Sequence, residues 1–148
     1  MAADAESMAP APAVFVKQAA LDAMTEVALG KVALTKSQDP NIREFAQRMV
    51  SDHGKANKEL ASIALTKGID APKMLDAEHE AMINELQDKA GAEFDQAYAD
   101  HMKMDHSKAI ALFEGASKSN DAEFAGFAKK TLPTLKEHKQ MAQKLPGR

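Results

Sequence analysis

The feature that most limits what this chain can fold into is the period of its apolar residues. In three long segments they step by three or four places without a break. The first runs Ile42, Phe45, Met49, His53, Ala56, Leu60, Ile63. The second runs Phe94, Tyr98, Met102, His106, Ala109, Phe113, Ala116. The third runs Phe124, Phe127, Thr131, Leu135, His138, Ala142, Leu145. That spacing is the buried stripe of a bundle helix. A fourth segment, nearer the N-terminus, places Phe15, Asp22, Glu26, Leu29 and Ala33 on one side. No strand-like alternation competes with these patterns. The abundance of Ala and the scarcity of β-branched residues favour helix almost throughout.

Breakers divide the segments. Residues 13–36 contain no proline, and Gly30 is the weak point, tolerable in a helix at about 1 kcal/mol relative to Ala. The run "SQDPN" ends that helix, and Asp39 and Pro40 open the next, which Gly68 stops at about residue 67. A short helix is expected over 74–90, broken by "AGAE", then long helices over 94–117 and 122–145, with Pro133 kinking the last. Four helices of about 24 residues are each about 36 Å long. The expected fold is all-α: a ferritin-like four-helix bundle with an extra short helix in the second connection. That connection, 68–93, is far longer than a simple up-down bundle needs, which favours a crossover, with a side flap as the other arrangement. Residues 14–146 form the bundle domain in this reading. Residues 1–13, "MAADAESMAPAPA", are expected to be a disordered lead, with the look of a mature exported protein after signal-peptide removal.

Composition narrows the function. A net charge of −3 gives no basic footprint for nucleic acid. No run of about 18 apolar residues is present to span a membrane. The chain has no Cys, which excludes disulfides, thiolate metal sites and a cysteine nucleophile, and sits comfortably in an oxidising compartment. No phosphate loop, H-E-x-x-H or nucleophile elbow occurs. The paired E-x-x-H motif of di-iron bundles is missing, since Val50, Lys103 and Leu135 stand three places before the histidines.

One phrase repeats. "MVSDHGKA" at 49–56 and "MKMDHSKA" at 102–109 share five of eight places, and "LKEHKQMA" at 135–142 is a weaker copy. The stripes put His53, His106 and His138 on the core sides of three helices, with Glu26 supplying an acid from the first. His53 and His106 lie at mid-height, whereas His138 counts out roughly 9 Å from His106 along the axis. Glu26, His53, His106 and His138 form a candidate shell for Zn, Cu, Fe or Mn. Asp52, Asp105 and Glu137 point about 100° from their histidine neighbours and suit the outer N–H of a histidine on the next helix. Met49 and Met102, one turn earlier, tilt the choice toward copper. His79, between Glu78 and Glu80, reads as surface, and His101 lies at the edge of its stripe. The same histidines also suit a polar network that only fixes the core.

The chain resembles domain-of-unknown-function family 4142. The likeness rests on Glu on the first helix, D-H on the second, F-D-x-x-Y then H on the third, and L-P-x-L-x-x-H on the fourth. These are Glu26, Asp52, His53, Phe94, Asp95, Tyr98, His106, Pro133 and His138. It covers roughly residues 14–145. The resemblance implies a ferritin-like bundle in the bacterial envelope, usually periplasmic, and implies no particular reaction. Two functions follow as expectations. One is a periplasmic bundle that holds a transition metal ion for storage, buffering or stress protection. The other is a non-catalytic structural or interaction protein of the envelope whose partner the sequence does not name. An enzyme reading comes third.

Overall fold

A computed structural model describes residues 9–145. Five helices follow in order: α1 (Pro12–Lys36), α2 (Pro40–Thr66), α3 (Ala77–Gln87), α4 (Gly91–Ala116) and α5 (Ala122–Gln143). The fold is all-α, as the periodicity requires. Residues 1–8 of the expected lead lie outside the described residues, and Pro12 already opens α1.

The boundaries follow from local chemistry. Asp39 caps α2 by accepting hydrogen bonds from the N–H groups of Asn41 and Ile42, with Pro40 in the first turn. Asp121 caps α5 in the same way, accepting from Glu123 and Phe124. At the end of α2, Gly68 turns left-handed at φ 71° and the Ile69 N–H returns to the Ala64 carbonyl. The short helix is trimmed to 77–87 because Asp76 caps it, accepting from the His79 N–H. The expected break at "AGAE" falls earlier, and Gly91, at φ 59°, already begins α4. The helix α5 runs on through Pro133, whose ring is exposed.

The long helices form two hairpins, α1–α2 and α4–α5, and α3 lies against α1 and α4. Phe15, at the start of α1, meets Phe113 near the end of α4 at 5.1 Å and Phe124 at the start of α5 at 6.1 Å. Phe45, early in α2, meets Tyr98, early in α4, at 6.0 Å. Arg48–Glu137 and Glu59–Lys130 pair α2 with α5 in opposite directions. Hence α2 and α4 run parallel, and the second connection must cross the length of the bundle. It does so: Ile69 and Ala71 pack at one end, Leu75, Ile83 and Leu86 at the other.

The core is two apolar clusters with a polar layer between them. One cluster gathers Leu29, Phe45, Met49, Phe94, Tyr98 and Met102. The other gathers Phe15, Leu60, Phe113, Phe124, Phe127 and Leu135. At mid-height between them the buried polar residues are Thr25, Glu26, His53, His101, His106 and His138. No helix among the described residues is long and apolar enough to cross a membrane.

Candidate metal centre

Three antiparallel or parallel helices each bring one histidine to the polar layer: His53 from α2, His106 from α4, His138 from α5. Their ring centroids form a near-equilateral triangle, 5.6 Å between His53 and His106, 5.2 Å between His53 and His138, 5.5 Å between His106 and His138. The 9 Å offset expected for His138 is therefore absent. Side chains on a helix lean toward its N-terminus, so on the antiparallel pair α4 and α5 these two lean toward each other and close the gap.

One ring nitrogen of each histidine lies within 4.8 Å of one from each other ring. Two of the outer nitrogens are engaged. His106 Nδ1–H donates to the Met102 carbonyl at 2.8 Å. His138 Nε2–H donates to Asp52 Oδ2 at 2.8 Å, as expected for an acid on the neighbouring helix. Asp52 is itself held by Arg48, which also reaches Glu137. These bonds fix the tautomers and leave His106 Nε2 and His138 Nδ1 turned inward. They join His53 Nε2 as buried nitrogens with no partner among the protein's own groups.

Electrostatics keep all three rings neutral. Burial, then the proximity of His106 and His138, pushes His53 down to about 3. Burial likewise lowers His106 and His138, outweighing the bond to Met102 in one and the Asp52 carboxylate in the other. Partial burial acts to raise Asp52, but the bonds from His138 and Arg48 outweigh it and hold it ionised. The pair is thus a neutral imidazole donating to a carboxylate. Neutral imidazole is the form that ligates a metal.

Glu26 is not in this triangle. Its carboxyl groups with His101 and Asp105, ligand-type atoms of the three lying within 4.8 Å of one another. Asp105, expected to take a histidine N–H, instead receives the carboxyls of Glu26 and Asp22. Burial and then the Asp105 charge and hydrogen bond raise Asp22 well above the usual carboxyl range, and burial with the Asp105 hydrogen bond does the same to Glu26. Asp105 is the ionised member: burial would raise it, but the hydrogen bonds from Glu26 and Asp22 prevail. Stripe reading puts Asp22 on the Glu26 side of the first helix and His101 at the edge of its stripe, and assigns neither to a site. Their signal is an i, i+4 pair on each of two facing helices, Asp22 with Glu26 and His101 with Asp105. His101 is buried because α3 covers that side of α4. His79, half-buried, bonds Asp76 through Nδ1 at 2.5 Å and belongs to neither group. Met49 and Met102 pack in the apolar cluster next to the layer, as do Phe94 and Tyr98.

The family model described as "Domain of unknown function (DUF4142)" matches residues 1–145. The chain belongs to the DUF4142 family. No curated protein matches it. Among solved structures, the crystal structure of a DUF305 fragment from Deinococcus radiodurans is similar, with a TM-score of 0.79 at 15% identity, covering 90% of this chain and 93% of that one. At that identity the likeness concerns the fold alone. The DUF4142 chain and that fragment share a helical architecture; the histidine layer is a property of this chain's own residues.

Proposed function

We propose that this bundle holds one transition metal ion through His53, His106 and His138, for storage, buffering or stress protection in the bacterial envelope. One observation carries the reading. Three neutral imidazoles from three helices each keep a buried nitrogen without a partner, and one ring nitrogen of each lies within 4.8 Å of the others. Ligating nitrogens around a tetrahedral ion stand about 3.3 Å apart, so small ring rotations close the shell. The Asp52 and Met102 acceptors behind two of the rings are the outer bonds that such ligands use. Imidazole ligands suit Zn, Cu and Fe, with Cu(II) and Zn(II) favoured in the affinity order.

Holding an ion fits better than turning over an organic substrate. The cavity beside His53, lined also by Asp22, Asn57 and Thr131, is about 20 Å³, room for about one water. A three-histidine ion keeps one open position, and that space matches a water there. The long crossover between parallel α2 and α4 supports the ferritin-like reading of the architecture. The envelope placement is supported by the cysteine-free composition and the Ala- and Pro-rich N-terminal stretch; fractionation of cells producing the full gene product tests it.

The metal test uses untagged, metal-free protein titrated with Zn(II), Cu(II), Cu(I) and Fe(II). Binding of one ion at micromolar concentration or below, with a rise in melting temperature, is expected, and His106→Gln should abolish it. Failure of all four ions to bind sinks the proposal. The structural alternative draws on the Asp52–His138 and Arg48–Glu137 bonds that tie α2 to α5. It requires a wild-type stability indifferent to metal and to chelator.

A further inference from the structure

A second cluster lies in the same layer, and the three-histidine centre uses none of its ligand atoms. It is built from two one-turn pairs on facing helices: Asp22 and Glu26 on α1, His101 and Asp105 on α4. Glu26 is fully buried, and apart from the Asp105 carboxyl no group of the protein bonds its oxygens. His101 is 9% exposed, and its Nε2 has no partner. Asp105 Oδ2 is buried as well, with no N–H donor on it. Two carboxyl groups and an imidazole, from two helices, converge within 4.8 Å. We infer that Glu26, His101 and Asp105 form a second divalent-cation site, with Asp22 at its side.

The donor set differs from the first centre and so does the ion it selects. Replacing two imidazoles by two carboxylate oxygens moves the preference toward harder ions, Mn(II) or Fe(II). In the ion-free fold hydrogen bonds from Glu26 and Asp22 to Asp105 hold the three carboxyls together, and a divalent cation would take the place of those protons. The site also has an entrance. A surface pocket of about 210 Å³ has Asp22 and Asp105 in its wall, with Gln18, Leu21, His79 and Lys108 around them. The centre at His53 is bordered instead by the one-water cavity. The inference stands whether or not the three histidines bind an ion.

The test is Mn(II) titration of the metal-free full chain, reading free Mn(II) by its electron paramagnetic resonance signal, with far-UV circular dichroism to confirm helical fold. Wild type should bind one Mn(II). The His53→Gln/His138→Gln double variant should bind it with similar affinity. Glu26→Gln keeps the shape of a neutral carboxyl, and both it and His101→Gln should weaken binding by about tenfold or more. Should Glu26→Gln fail to fold, His101→Gln decides. The inference is overturned if wild type binds no Mn(II) at millimolar concentration, or if the folded Glu26→Gln and His101→Gln chains bind it as tightly as wild type. It is equally overturned if only the His53→Gln/His138→Gln change removes binding, which would place the ion in the first centre.

Discussion

The metal-free protein should lose stability through His53 as pH falls from 7 to 5. His53 is 6% exposed, and in the fold its imidazole accepts a proton only near pH 3. In the unfolded chain it does so near 6.5. The folded value is the lower one, so its contribution is complete above about 6.5 and is lost as pH falls from there toward 3. Over that window the unfolded state binds the extra proton. At pH 5 the unfolded imidazole is almost wholly charged and the folded one almost wholly neutral, which removes about 2 kcal/mol relative to pH 7. For a chain of this size that is roughly 4–8 °C in melting temperature. His106 and His138 act in the same direction. Asp22 and Glu26 act in the opposite one: their folded values are raised, so they favour the fold at low pH and weaken it as pH rises. Asp105 and Asp52, held ionised, titrate below the window. The wild-type curve therefore mixes signs, and a comparison isolates His53. Urea unfolding of wild type and His53→Gln, in chelator, at pH 7 and pH 5, should show wild type losing about 2 kcal/mol more than the variant. Parallel pH dependences would refute the argument, because they would mean that the fold does not lower the His53 pKa.

Three further outcomes are expected. Asp52→Asn weakens the carboxylate that orients His138 and should lower metal affinity by about 10–100-fold in a chelator competition, leaving the helical fold intact. Gly30→Ala should destabilise by about 1–3 kcal/mol in urea unfolding despite the better helix propensity of Ala. A Cβ there would stand 2.9 Å from Val50 Cγ2 and 3.0 Å from the Ala46 carbonyl oxygen. Phe15→Ala should cost about 3–5 kcal/mol by the same measurement, since it removes the ring that meets Phe113, Phe124 and Phe127.

Much of this architecture is legible in the residues. The stripe of α4 is buried at every place from Phe94 to Ala116, and that of α5 at every place but Thr131. The caps at Asp39 and Asp121 and the stop at Gly68 can be read from residue type alone. The convergence of His53, His106 and His138 is legible too, because each falls in a stripe. Counting along helix axes fails where side-chain direction matters. It places His138 too far from His106 because it treats side chains as radial, whereas on antiparallel helices they lean together. It assigns Glu26 to the histidines because a stripe gives the buried side of α1 but not which neighbour that side meets. The neighbours are set by the crossover, which puts α1 against α4 and so Glu26 against His101 and Asp105. Gly30 looks like a weak point in a helix when the partner is unknown. With α2 in place it is the spot where two backbones come close, which only a missing Cβ permits.

The polar layer is expensive as a purely structural device. One ring nitrogen each of His53, His101, His106 and His138 is buried without a partner from the protein's own groups. Each such group costs about 1–3 kcal/mol, and a domain's whole stability is about 5–15 kcal/mol. Two apolar clusters, one on each side, offset that cost and let the layer persist. A layer whose only task was to fix register would be expected to satisfy its own members, as Asp52, Arg48 and Glu137 do at its rim. Here the unpartnered ring nitrogens belong to residues that gather in two groups with different donor chemistry. A bound ion reverses the balance. At a concentration a thousandfold above its dissociation constant it contributes about 4 kcal/mol to the folded state. The melting temperature of wild type should therefore climb with each metal that binds, while His53→Leu, which replaces an inward imidazole by a carbon chain, should raise the metal-free melting temperature and abolish the climb. A His53→Leu protein that melts lower than metal-free wild type would show that the inward nitrogen is not a cost to the fold, and the argument from unsatisfied groups would fail with it.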